Sequence, residues 1–404
     1  NFGHSHKIRG TIWRLGGDAV KSSRGQPLLP NGGKTSLCVL ETLFQQISWR
    51  MRQFREKNFP LDCFGRAVMV GFKLYYFCVE SILMKRLWLA ALLFAVPMQA
   101  MAQASRCPAP ASVPPKSELL HLLMTAQDRG FLWKITKDGH SSWLYGTIHA
   151  SRQEWMLPGP LTRMAMMKSN IVALELNLQD PATLATLRKP EEPDRLQHLI
   201  QTGRKKKLDD LAETLCLPVA NFSKTAVGLE AAGLSTAVGR VDGYYPDYAA
   251  DLVIQGIAGG MKKDLIALEE AQTQRDLVIA ANQADEDDFI DTTIKNISSG
   301  EARTDEKRIV EIWGQSDMAQ LQHYDAWCKC LRTPKERAET KRLLDDRNIE
   351  MARKILSLHE SGKSLFVAVG SLHMAGPKGL PALLKQDGFD IQQVVPAATN
   401  PSAL

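Results

Sequence analysis

Leu365-Phe366-Val367-Ala368-Val369-Gly370-Ser371-Leu372-His373 and Ser142-Trp143-Leu144-Tyr145-Gly146-Thr147-Ile148-His149 are two versions of one pattern. In each, an apolar run of strand length stops at a glycine, and a histidine follows three residues later. A continuous apolar run bounded by a turn signal reads as a strand buried on both faces, as in parallel sheets. In α/β folds the ligand crevice lies outside the carboxyl ends of such strands. Glycine allows the tight turn there, and the next side chains are delivered to the crevice mouth. One Gly-x-x-His tetrad is a weak signal, because a lone histidine is commonly structural. Two tetrads more than 200 residues apart predict imidazoles converging on one site.

Working outward, Phe131 to Lys137 alternates apolar and polar residues, and Asp138-Gly139 is a hairpin signal before the returning strand 142–148. A helix is expected at 161–168 and a strand at 170–177, the latter interrupted by one charge, Glu175. The middle third, about 181–331, reads as helix-rich, with helical spacing at 208–215 and 248–256 and a charged, exposed stretch at 285–308. Arg204-Lys205-Lys206-Lys207 reads as a solvated turn before a helix. A single strand, 264–268, stands in this region and runs into Glu269-Glu270. The longest helical candidate is 334–360, followed by strand 364–369, helix 379–386 and strand 390–394. The expected fold is α/β: a central, largely parallel sheet flanked by helices, with a helix-rich middle segment.

At Met84 the text changes character. Lys85-Arg86, the apolar run Leu87 to Val96, Pro97 and the small-x-small site Ala100-Met101-Ala102 are the parts of a secretory signal peptide in order. The apolar run is shorter than the about 20 residues a bilayer span requires. The expectation is cleavage after Ala102, with residence in the periplasm or outside the cell and no stable membrane anchor. Residues 1–83 then read as translated upstream sequence; the competing reading makes Met84–Val96 part of a signal anchor. Residues 103–130 read as tether and lead-in, 131–395 as one domain and 396–404 as a loose tail.

The whole chain has 50 Lys+Arg and 44 Asp+Glu, but its first 102 residues hold 14 and 5 of these, so the exported part is slightly acidic. That balance offers no electrostatic footprint for nucleic acid. Cys107, Cys216, Cys328 and Cys330 remain after cleavage, an even number suited to disulfides in an oxidising compartment. The expectation is that Cys328 and Cys330 pair with Cys107 and Cys216.

Glu175 inside an apolar strand needs either a cation or a salt-bridge partner, and Arg347 is a candidate for the latter. Glu269 ends the 264–268 strand, whereas Glu270 suits a helix N-terminus. Arg347 and Asn348 fall mid-helix, where the plain reading is a solvated face. Two imidazoles and a carboxylate form a ligand set for Zn²⁺, Mn²⁺, Co²⁺ or Fe²⁺, with a position open for water. A second carboxylate would shuttle protons. No His-Glu-x-x-His helix, Gly-x-Ser-x-Gly elbow or P-loop is present, and Ser371 has no triad context.

Further motifs join these tetrads: Phe131-Leu132-Trp133-Lys134, Ala173-Leu174-Glu175-Leu176, Leu268-Glu269 and Asp346-Arg347-Asn348. In this order, over roughly 131–395, they resemble the TraB/GumN group that includes the Tiki metalloproteases. One departure is Tyr248-Ala249-Ala250-Asp251, where the group often has Tyr-Gly-Ile-Asp. The resemblance implies a fold akin to the EreA/ChaN-like superfamily and, in the Tiki branch, a metal-dependent peptidase. It implies His149, Glu175 and His373 as metal ligands, with Glu269, Arg347 and Asn348 as further catalytic candidates. The expected function is an exported metal-dependent hydrolase acting on a peptide or small molecule, with Glu269 as second carboxylate or general base. Arg347 would stabilise an oxyanion or orient a carboxylate. The rival reading is a non-catalytic periplasmic binding protein for haem or a small organic ligand.

Overall fold

The computed structural model describes residues 107–395 apart from 223, 281, 329 and 330. The signal peptide, the upstream segment, the tail from 396 and Cys330 lie outside the described residues. The described strands are β1 (Phe131–Lys137), β2 (His140–Thr147), β3 (Ile171–Leu174), β4 (Asp264–Ala267), β5 (Leu365–Gly370) and β6 (Asp390–Gln393). They form one sheet in the order β4-β3-β5-β2-β1-β6. β4, β3, β5 and β2 are mutually parallel, whereas β1 runs antiparallel to both β2 and β6. Every residue of β3 and β5 is buried, as their unbroken apolar runs require.

The β1–β2 turn follows from two residues. Lys137 pairs with His140, leaving Asp138 at φ 52° and Gly139 at φ 80°. Both torsions are positive, as in the two-residue hairpin whose twist matches its strands. The tight turn fixes the register of β2 and therefore which residue, Thr147, ends it.

Helices fill the long connections. After β3 come Pro181–Leu187, Pro193–Gln201, Arg204–Thr214, Val227–Ala237 and Ala250–Gly260; after β4 come Ala271–Val278, Gln283–Ser298 and Glu301–Gly314. Several of them share a second apolar cluster built on Leu199, Leu208, Val227, Leu234 and Ile290. This cluster is distinct from the main core, in which Phe131, Leu144, Ile171, Phe366 and Trp313 are buried around the sheet.

Several boundaries differ from the sequence reading. Arg204 to Lys207 are not a solvated turn but the first turn of Arg204–Thr214. Gly203 at φ 74° opens that helix, and Lys206 pairs with Asp210 four residues on. Such pairs turn a basic run into a helix face. The charged stretch 285–308 falls in two helices, Gln283–Ser298 and Glu301–Gly314, parted at Gly300 with φ 77°. The stretch 334–360 is helical throughout, but Lys341–Asp345 is wound as a π-helix between Pro334–Thr340 and Asp346–Glu360. β3 ends at Leu174, so Glu175 stands one residue past the strand; Glu269 is likewise two residues past β4.

The disulfide differs as well. Cys107 bonds Cys216, across 109 residues, rather than either partner from the 328–330 pair. Cys216 follows the helix Arg204–Thr214 with φ 58°, in the left-handed turn that ends it, and there it meets the incoming chain. Residues 107–115, read as part of a tether, are also held by hydrogen bonds. Tyr245 donates to Ala109 O at 2.8 Å, and the Tyr248 hydroxyl accepts from Ser112 N at 2.9 Å. Among the described residues, no helix is long and apolar enough to cross a membrane.

Candidate active site

The tetrads end neighbouring strands. Gly146 pairs with Val369 and Thr147 with Gly370 across the parallel β2–β5 ladder. β3 lies on the other side of β5, and β4 beyond it. His149, His373, Glu175 and Glu269 therefore emerge in one row at the carboxyl edge. The two tetrads are also bonded to each other, because Ser371 Oγ donates to Thr147 O at 2.6 Å. That bond gives Ser371 a structural place.

Gly370 marks the focus. A Cβ placed on it would lie 3.2 Å from Glu175 Oε1, 3.4 Å from His149 Nε2 and 3.7 Å from His373 Cδ2. Those distances put His149 Nε2 no more than about 7 Å from His373 Cδ2. His373 is buried on the floor at 4% exposure, whereas the His149 side chain is 57% exposed at the mouth.

Each imidazole is held by its Nδ1. His373 Nδ1 lies 2.7 Å from Asn348 Oδ1, and the Asn348 amide nitrogen donates to Lys378 O at 2.9 Å. The second bond makes Oδ1 the acceptor, so His373 carries its proton on Nδ1 and turns an unprotonated Nε2 toward the site. His149 Nδ1 lies 3.3 Å from Asp251 Oδ2. Burial drives the His373 ring down to about 4, the charge of Glu175 notwithstanding. For His149, exposed at the mouth, the desolvation it suffers inside the crevice pulls the same way, but the charge and hydrogen bond of Asp251 outweigh it and lift the ring to about 9.

The carboxylates are tied to one guanidinium. Arg347 donates from Nη2 to Glu175 Oε2 at 2.8 Å and to Glu269 Oε2 at 2.6 Å, and from Nε to Glu269 Oε1 at 2.7 Å. Its Nη1 donates to Leu343 O at 2.9 Å. Four of its five N–H bonds are thus committed, and its place is to orient two carboxylates. Gln274 adds a second bridge, donating to Glu175 Oε2 at 3.1 Å and Glu269 Oε2 at 2.9 Å. Gly370 N donates to Glu175 Oε1 at 2.8 Å. Burial raises the Glu175 carboxyl, but His373, His149, Arg347 and the Gly370 N–H overcome it and hold it down at about 2.

Thus all six residues singled out in the sequence gather at one crevice, in three bonded groups: Glu175–Arg347–Glu269, His373–Asn348 and His149–Asp251. The salt bridge weighed for Glu175 is present, and Arg347 and Asn348 face the site rather than solvent. Two members were missed. Gln274 sits in the first turn of Ala271–Val278, where nothing in its surroundings marks it. Asp251 was visible as a matched motif position without an assigned partner.

The TraB/PrgY/gumN family matches residues 131–393, from the first residue of β1 to the last of β6. The chain belongs to that family. No curated protein and no solved structure matches it. The matched span holds every member of the network, including Asp251 and Gln274, and leaves out Cys107 and the segment it anchors.

The donor chemistry at this TraB/PrgY/gumN site fits a divalent ion. His373 offers Nε2 while its Nδ1 is held by an amide oxygen, the arrangement typical of a metal-binding histidine; His149, held at Nδ1 by Asp251, would have to give up its second proton to bind an ion. Asp251 Oδ1 is buried with no protein hydrogen-bond donor. As placed, however, Glu175 is drawn to Arg347, and among the described residues no three His, Cys, Asp or Glu side chains close into a metal-holding group. An ion would share Glu175 with the guanidinium.

Proposed function

We propose that this chain is an exported, metal-dependent hydrolase of peptide-like substrates, with His149, His373 and Glu175 holding the ion. The observation that carries this reading is the convergence of His149 Nε2, Glu175 Oε1 and the His373 ring on the space in front of Gly370. When bound, a divalent ion supplies Lewis acidity and an activated water. The rest is the work of the chain. Asn348 fixes the His373 tautomer, and Asp251 holds His149 at the mouth. Arg347, Gln274 and the Gly370 N–H keep Glu175 ionised and aimed. Glu269, as second carboxylate, holds Arg347 in place and faces a further cavity of about 340 Å³. Export is supported by the Cys107–Cys216 bond, since disulfides persist in oxidising compartments.

Calorimetric titration of the purified chain with Mn²⁺, Co²⁺, Zn²⁺ and Fe²⁺ tests the metal, and peptide hydrolysis with each ion tests the reaction. His149→Ala and His373→Ala should each lose binding and hydrolysis while melting within a few degrees of the wild type. Retention of full metal affinity in both variants would exclude the shared site. Co-purification of a tetrapyrrole with no hydrolysis would favour a binding protein instead. N-terminal sequencing of the exported product, expected to begin at Gln103, tests the signal peptide.

A further inference from the structure

In front of the histidines lies a cleft of about 330 Å³, at the lower end of the about 300–1,000 Å³ range of ligand pockets. One wall is the π-helical turn Lys341–Asp345, which contributes Leu343 and Leu344. The helix Glu301–Gly314 contributes Ile309 and Val310, and Ile148 and Leu372, from inside the tetrads, extend the apolar lining; Ser235 and Thr236 also border it.

Apart from Glu306, the charged side chains that line this cleft are answered within the protein. Arg347 is bound by Glu175 and Glu269, Glu175 by Arg347, and His149 by Asp251. Glu306 accepts from Gly239 N at 3.1 Å through Oε2, its Oε1 is buried without a hydrogen-bond partner, and burial pushes its carboxyl up to about 8. His373 is buried and held by Asn348. An anionic side chain entering the cleft would lose its water and find no free cation, and a cationic one would find only the Glu306 carboxyl, whose charged form burial disfavours, whereas an apolar one would gain from burial.

We infer that this cleft is the specificity pocket of the site and receives an uncharged, apolar side chain, aliphatic or aromatic, of a peptide-like substrate. The inference rests on the hydrolase reading above, and it names the substrate class that reading leaves open. Leu344 and Ile309, brought to the cleft by different helices, are its specificity-determining residues. The π-helical winding contributes by bringing Leu343 and Leu344 into the cleft one turn before Arg347 and Asn348.

The test is binding of four peptides, N-acetyl-Ala-Ala-Xaa-Ala-amide with Xaa Leu, Phe, Lys or Glu, to the full chain by saturation-transfer NMR. The Leu and Phe peptides should bind at least tenfold tighter than the Lys and Glu peptides. Leu344→Glu should shift the ranking at least tenfold toward the Lys peptide, and Ile309→Lys toward the Glu peptide. Equal binding of all four, a preference for a charged peptide, or no binding at millimolar concentration overturns the inference. So does an unchanged ranking in either variant that melts as the wild type does. Should both variants fail to fold, the wild-type ranking decides alone. The apolar ranking without cleavage under any of the four metals would sustain the pocket and refute the hydrolase. Cleavage with no ranking would do the reverse.

Discussion

Gly370→Ala separates a structural glycine from a functional one. Gly370 ends β5 with φ −50° and ψ 140°, a conformation alanine adopts without strain. Replacing a glycine at compatible torsions stabilises by about 0.4–1 kcal/mol through the unfolded chain. Against this, the new methyl would meet Glu175 Oε1 at 3.2 Å and His149 Nε2 at 3.4 Å, contacts slightly too close for comfort. His149 is at the open mouth and can yield; Glu175, pinned by Arg347, Gln274 and the Gly370 N–H, cannot yield as easily. The two effects should nearly cancel, leaving stability within about 1 kcal/mol of the wild type, the usual scale of a strain-free exchange. For the site the outcome is one-sided, because the methyl occupies the space onto which the three groups converge. Metal affinity should fall at least about 100-fold, the upper end of losses seen when ligand support is disturbed. Thermal melts and calorimetric metal titration read the two quantities on the same sample. Unchanged metal affinity in a normally folded variant would refute the reasoning, since the ion could not then sit in front of Gly370.

Arg347→Met leaves Glu175 and Glu269 buried without their cation and should destabilise by about 3–5 kcal/mol in urea unfolding. In a Glu175→Gln/Glu269→Gln background the same change should cost far less, and equal costs in both backgrounds would show that the pairs contribute nothing. His359 is fully buried, with Nδ1 2.9 Å from Ser142 Oγ, Nε2 3.1 Å from Lys137 O and its ring stacked 3.7 Å from His140. Burial lowers its pKa, aided by His140 and Lys137 and opposed by the Lys137 carbonyl and Asp138. Its stabilisation is therefore full above the ordinary histidine pKa of about 6.5 and is lost as pH falls below it, by at most about 1.4 kcal/mol per pH unit. His359→Gln should flatten that part of the stability curve, and a wild-type-like slope in the variant would place the titration elsewhere. Reduction of Cys107–Cys216, or the double serine variant, should cost about 4–5 kcal/mol if chain entropy dominates a loop of 109 residues. A melting temperature indifferent to reductant would contradict this.

Much of this architecture was legible as text because its signals are local. An unbroken apolar run such as Leu365 to Val369 can be satisfied only inside a sheet, and Asp138-Gly139 can close a hairpin because both positions tolerate positive φ. Gly146 and Gly370, each three residues before a histidine, marked the functional edge for the same local reason. Helix boundaries were less legible. Nothing short of the packed structure distinguishes the π-wound Lys341–Asp345 from the α-helix on either side, and the basic run 204–207 became helical through pairs with carboxylates one turn on.

What only the tertiary structure decided is adjacency. The sequence determined that two histidines stand at strand ends; the strand order β3-β5-β2 decided that they stand beside each other and beside Glu175. Strand order is set by how long connections pack over the sheet, a sum of many weak contacts that leaves no mark at any one residue. The partners of Cys107, His149 and Glu269 were settled in the same way. Cys216 and Asp251 are marked in the text but without these partners, Gln274 is not marked at all, and each acquires its role from the backbone that carries it to within bonding distance of a group far away or on another element. Chemistry such as an imidazole or a carboxylate is written in the sequence, but the hydrogen bonds that fix its protonation and aim belong to the fold.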